Sequence, residues 1–293
     1  MNAEPPFGPI VNGTQVVVFY YYRPNKGAAY TFIVLFGLAT LGHLVYLVRL
    51  RAWFFIPLIL GGIGEVFGYF GRAQSSDEPD KVGPFILQNL LLLSSAPMIA
   101  ATIYMALGRV ISALAAERHA FISPRWMTKL YVLIDIGSLG TQIAGSIMPA
   151  SGDPSAIELS RKIVITGLIV QFVALSFFIL TSWHVQRRTK RNPTPVTLKC
   201  RSINWQNHFR VIKVITAAVI VRSMVRAVEY IQGENGFVMA HEVFIYLFDA
   251  TLMFLVLLAF LILHPARLMR DARQAEKEDW GGEELAIIRP NHL

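Results

Sequence analysis

Cysteine is almost missing from this chain. Cys200 stands alone among 293 residues, so no disulfide can form within the chain and the fold needs no oxidising compartment. Cys200 lies near an expected membrane surface, where S-palmitoylation occurs, but an ordinary free thiol is the simpler reading. Zinc-finger spacing is lacking too, as is any glycine-rich phosphate loop, so ATP use by this chain is not expected and no cofactor is implied. The start of the chain has no basic segment leading into an apolar core and a small-residue cleavage site. The first long apolar run is therefore expected to be an uncleaved anchor, with the residues before it carried across the membrane. Charge is sparse, at 16% of residues against roughly a quarter in soluble domains.

What is abundant is apolar surface. Hydrophobic residues make up 54% of the chain and the mean hydropathy is +0.48. The net charge of +8 would suggest a nucleic-acid partner in a soluble protein. Here the basic residues flank apolar runs of roughly 20 residues, which assigns them to lipid headgroups and topology and excludes nucleic acid.

Seven such runs are legible: Ala28–Val48, Trp53–Gly71, Pro84–Leu107, Thr128–Pro149, Lys162–Trp183, Phe209–Ile231 and His241–His264. Unpaired backbone groups are too costly in lipid for loops or open strands to span it, so the expected fold is all-α, a bundle of seven transmembrane helices. Lysine and arginine set its direction. About 6 fall in the N-terminal tail and the second, fourth and sixth loops, and about 18 in the other loops and the C-terminal tail. That bias places the N-terminus outside and the C-terminus inside. The chain then divides into an extracellular tail (1–27), a membrane domain (28–265) and a cytosolic tail (266–293). The sequon Asn12-Gly13-Thr14 falls in the outer tail, which makes Asn12 a glycosylation candidate. The basic stretch from Arg187 to Arg201 could face a cytosolic partner, although fixing topology would explain it equally.

Ionisable residues inside the spans carry the chemistry, because each costs about 2.5–3.5 kcal/mol at a helix centre on insertion scales. They are Glu65, Asp135, Arg222, Arg226, Glu229, Glu242 and Asp249. Helical spacing groups them. Arg222, Arg226 and Glu229 share one face, and Glu242, Tyr246 and Asp249 repeat the pattern. Asp135, Ser138 and Gln142 form a third stripe; Gly61, Glu65, Gly68 and Arg72 form a fourth, beside Gly64-x-x-x-Gly68, a close-packing signal. With Gln88, most of these groups fall at similar depth, as an outward-facing polar cavity requires. The plainer alternative is ion pairs that lock helix packing. Pro97, inside the third span, is expected to kink it, as a hinge or as a static bend.

These residues resemble a known family. Glu65-Val-Phe-Gly-Tyr-Phe-Gly-Arg72, then Gln88 with Ala96-Pro97 and Tyr104, then Asp135 with Ser138, Gln142 and Gly145, look like the fungal RTA-like, or lipid-translocating exporter, proteins. Arg222-Ser-Met-Val-Arg226-Ala-Val-Glu229, Glu242 with Tyr246 and Asp249, and His264-Pro265 extend the resemblance from about Tyr20 to Arg267. It implies a multi-pass protein of the plasma membrane that exports or flips sphingoid bases or other amphiphiles and confers resistance to toxic ones. The substrate-binding candidates are then Glu65, Gln88, Asp135, Gln142, Arg222, Arg226, Glu229, Glu242, Tyr246 and Asp249: carboxylates for an ammonium, amides and a phenol for hydroxyls. A seven-span lipid receptor or stress sensor is the competing reading. A zinc-dependent hydrolase using His43, His184, His208 and His264 is a third, although no His-x-x-x-His pair supports it.

Overall fold

In a computed structural model, residues 7–11, 14–17, 20, 22–77, 79, 81–147, 154–199, 204–232 and 236–274 are described. Asn12 and Cys200 lie outside them. Two short strands, β1 (Phe7–Val11) and β2 (Thr14–Val17), pair antiparallel in the tail, with Val11 opposite Thr14. Everything else regular among the described residues is helical.

The long helices are α1 (Lys26–Leu50), α2 (Ile56–Asp77), α3 (Val82–Ala113), α4 (Pro124–Ile147) and α5 (Pro154–Arg191). The short α6 (Pro195–Lys199) leads into α7 (Trp205–Gln232), and the short α8 (Phe237–Ala240) precedes a π-helical turn (Ile245–Ala250) that runs into α9 (Thr251–Ile262). Five of these stretches are long and apolar enough to cross a membrane: Lys26–Leu50, Trp53–Asp77, Val82–Ala113, Glu158–Arg191 and Ile245–Gln274. The remaining two long helices, α4 and α7, have the length but carry charge, Asp135 in one and Arg222, Arg226 and Glu229 in the other. The chain is thus an all-α polytopic membrane protein.

Local chemistry explains the boundaries. The Asn25 side chain caps α1 by accepting from the Ala28 N–H at 3.0 Å, and Arg51, at φ 49°, ends it in the left-handed region. Two expectations need correction. The second span opens with a 3₁₀ turn (Trp53–Phe55) and continues past Gly71 to Asp77. The fifth begins at Pro154, well before Lys162. The seventh starts just after His241 as expected, but enters through the π turn. Hydropathy cannot see these features, because polar residues extend helices into the interface and register defects depend on neighbours. α3 runs unbroken through Pro97.

The helices close a ring: each of α1 to α5 packs on the next, α5 on α7, α7 on α9 and α9 on α1, with α3 also reaching α7. Leu38, Leu133, Val173 and Val214, all at least 60% exposed, face outward as lipid-facing side chains should. The α2–α3 contact is close. A Cβ on Gly64 would collide with Ser95 Oγ, and one on Gly68 would sit 2.5 Å from Leu92 Cδ2, so the expected glycine motif does bring these helices together.

Candidate functional site

Arg72, near the end of α2, is 1% exposed. A guanidinium can be buried only if its donors are spent. Nη2 donates to Glu242 Oε1 at 2.8 Å and to Tyr22 OH at 3.0 Å, Nε to Tyr246 OH at 3.1 Å, and Nη1 to Gln88 Oε1 at 3.4 Å. The rings of Tyr22 and Tyr246 flank the cation at 5.7 and 5.2 Å. The tail completes the shell. The Asn25 N–H donates to Glu242 at 2.7 Å, and Tyr20 OH donates to Gln88 at 3.1 Å. Burial pushes the Tyr20 hydroxyl up, so it stays protonated as a donor.

Next to this shell lies a second cluster. Asp249, carried by the π turn, accepts from Arg222 on one oxygen and from Arg226, at 3.1 Å, on the other. Arg226 also pairs with Glu229 at 3.0 Å, and Arg222 Nη2 donates to the Leu92 carbonyl at 3.2 Å. Together with Phe244, Ile245 and Phe248, these α7 and π-turn residues enclose a void of about 10 Å³, room for about one water. Glu65 faces the same ions from α2. It is fully buried, and neither carboxyl oxygen has a hydrogen-bond partner among the described residues. Tyr69, one turn on, stacks between Phe36 and Tyr246, and its hydroxyl is likewise without such a partner among the described residues.

Eight of the ten candidates therefore sit in two adjoining clusters: Gln88, Glu242 and Tyr246 around Arg72, and Arg222, Arg226, Glu229 and Asp249 around the void, with Glu65 facing their charges from α2. Asp135 and Gln142 do not join them. They belong to a separate network between α4 and α5, where Ser138 donates to Gln171 Oε1 at 3.0 Å and Gln142 donates to Ser138 at 3.2 Å. Tyr104 and Gln171 hydrogen-bond the Asp135 carboxylate. A groove of about 510 Å³ opens beside this network, lined by Ser138, Thr141, Lys162, Thr166 and apolar neighbours.

Sequence reasoning missed Tyr20, Tyr22, Asn25 and Gln171. For Gln171 the signal was a lone amide in an apolar run. For the tail it was the aromatic stretch beside the first span, which reads equally well as an interfacial belt. Of the four candidate histidines, His43 and His208 are neighbours of His264. His184 packs on Phe121, and His43 and His264 lie 6.1 Å apart between ring centres. Among the described residues, no three of His, Cys, Asp and Glu are placed to hold a metal ion, so the zinc-hydrolase reading has no ligand set.

Residues 58–272, which carry this buried ion cluster, match the family described as RTA1 like protein. The chain belongs to the RTA1-like family. Its relatives include protoporphyrin uptake protein 1 of Saccharomyces cerevisiae, 33% identical over 279 residues, covering 83% of this chain and 90% of that protein. Protein RTA1 of the same yeast is 30% identical over 271 residues, covering 84% of each chain. The yeast sphingoid long-chain base transporter RSB1 is 25% identical over 275 residues, 83% of this chain and 72% of that one. Two of these three relatives are thus named for uptake or transport. No solved structure matches this RTA1-like protein.

Proposed function

We propose that this RTA1-like protein moves amphiphiles with a cationic headgroup, of the sphingoid-base kind, across the membrane, and so protects cells from toxic amphiphiles. One observation carries the reading. Three carboxylates, the buried Glu65 and Asp249 and the part-buried Glu229, meet two guanidinium groups, Arg222 and Arg226, and Glu65 is the one left over. Buried charges must be paired, so the cluster has an opening for one more positive charge. An ammonium fits; a dicarboxylate such as protoporphyrin would have to displace Asp249 from both arginines. The name of the relative RSB1, a sphingoid long-chain base transporter, supports the same class, whereas protoporphyrin uptake protein 1 is named for a different cargo.

The topology that goes with this reading is seven spans, with the tail 1–27 outside, 28–265 in the membrane and 266–293 in the cytosol. On that topology Asn12 is available for glycosylation, and Arg187 to Arg201 face cytosolic partners. The plasma membrane is the site where export would protect. The groups around Arg72 act as an outer gate that the tail tyrosines close. Gln88 and Tyr246 then offer hydrogen bonds to headgroup hydroxyls, while Asp135 and Gln142 sit in the buried network beside the groove that Ser138 and Thr141 line.

The test is release of labelled sphingoid base from cells expressing the chain, beside Glu65→Gln at matched surface level. Chain-dependent release that Glu65→Gln abolishes supports the reading. Release that never depends on the chain overturns it and moves the receptor reading ahead. Competition by protoporphyrin, with no effect of the base, would reverse the assigned charge of the cargo.

A further inference from the structure

The cluster at Glu65 has two electrically balanced states, and this determines what else it binds. In the closed structure, Arg222 and Arg226 are matched by Asp249 and Glu229, and their donors are committed to those carboxylates and to the Leu92 carbonyl. The void beside them, about 10 Å³, holds no ammonium headgroup. Glu65 is 0% exposed with neither oxygen hydrogen-bonded among the described residues, so in this state it needs a small positive charge of its own. Every other element facing it leaves that need unmet. α7 presents Arg222, Arg226 and Glu229; the π turn presents Asp249 and Tyr246. α2 itself adds Tyr69, and Arg72, which is spent on Glu242. α1 contributes only the rings of Phe32 and Phe36 packed on Tyr69.

We infer that Glu65 is a proton-binding site whose proton is exchanged for the cationic headgroup, coupling amphiphile export to proton entry one for one. The inference rests on the function proposed above. When the site opens inward, the Glu65 O–H bond breaks, the proton passes to the cytosolic side, and the carboxylate takes the ammonium as its counter-ion. When it opens outward, the ammonium leaves and Glu65 gains a proton from outside. Each half-cycle moves one positive charge, the ammonium outward or the proton inward, so a full cycle moves one in each direction and the cluster is neutral whenever it is closed. No nucleotide is consumed.

The experiment uses the purified full chain in liposomes with an internal pH one unit below the external. The probe is a long-chain quaternary ammonium amphiphile, which cannot cross as a neutral amine and so is not trapped passively by the gradient. One-for-one exchange predicts accumulation inside by about tenfold, since one pH unit is a tenfold proton ratio. A trapped pH dye should report the internal pH rising as the probe enters. Glu65→Gln should show neither effect, and Glu65→Asp, which keeps an exchangeable proton, should retain both; this conservative variant separates loss of coupling from loss of folding. Equal probe movement with and without the gradient overturns the coupling and leaves the transport reading standing. Full accumulation in Glu65→Gln overturns the assignment to Glu65. Absence of probe movement under every gradient overturns both.

Discussion

Asp249 receives a guanidinium on each of its oxygens, and Glu65, facing the same guanidinium groups from another helix, receives none. The two carboxylates should therefore respond in opposite ways to neutralisation. Asp249→Asn removes the charge that both arginines share and turns one of its two acceptor atoms into a donor, and is expected to cost about 3–5 kcal/mol of stability, read as a lowered midpoint of unfolding in detergent. Glu65→Gln removes a carboxyl that has no hydrogen bond to lose, so its effect on the same midpoint is expected to stay within about 1 kcal/mol or to be stabilising. If both variants destabilise alike, the pairing described here is wrong. The members of this cluster were legible because a charge inside an apolar run stands out. Their pairing was not. Arg226–Glu229 is a contact along one helix and could be read from spacing, whereas Arg222–Asp249 joins residues 27 apart that only packing brings together. Asp135 was misgrouped for the same reason: depth along a helix was readable, but the helix it faced was not.

Among the elements, α2 is held by small residues on the face that meets α3. Gly68→Leu should drive a side chain into Leu92, whose carbonyl anchors Arg222. A loss of about 1–3 kcal/mol is expected, with lower transport at matched expression, because the strain is transmitted to the ion cluster. The glycine signal was visible in the sequence, since close approach requires missing side chains. The π turn was not visible. It inserts one residue into the register of the last helix, aims Asp249 at α7, and is marked by the Thr251 hydroxyl donating to the Tyr246 carbonyl at 2.8 Å. Nothing in the hydrophobic period of Ile245–Ile262 distinguishes it from an ordinary helix.

At the scale of the molecule, orientation and pH response can both be checked. With Cys200 replaced by serine, a cysteine at Asp77 should react with an impermeant thiol reagent in intact cells, and one at Glu117 only after permeabilisation; the reverse pattern would invert the topology. His119 lies in the turn between α3 and α4, with its Nδ1 3.1 Å from Thr189 Oγ1. Partial burial, then the charges of Arg118, Arg188 and His184, hold its pKa below the ordinary 6.5. A lowered histidine stabilises fully above 6.5 and loses that contribution as pH falls through the lowered value, because the unfolded chain takes the proton first. The unfolding midpoint should therefore decline as pH drops below 6.5, and His119→Gln should remove part of the decline.

α5, at 38 residues, is roughly 57 Å long, nearly twice the thickness of a hydrocarbon core. Its apolar stretch is bounded by Lys162 at one end and by Trp183, on whose ring Arg187 sits at 5.0 Å, at the other. That leaves about 32 Å for lipid, so α5 works as a ruler. A thinner bilayer can still be crossed at a tilt, and each ångström of mismatch costs a fraction of a kcal/mol. One helix thereby sets the thickness of lipid in which the whole bundle stands upright.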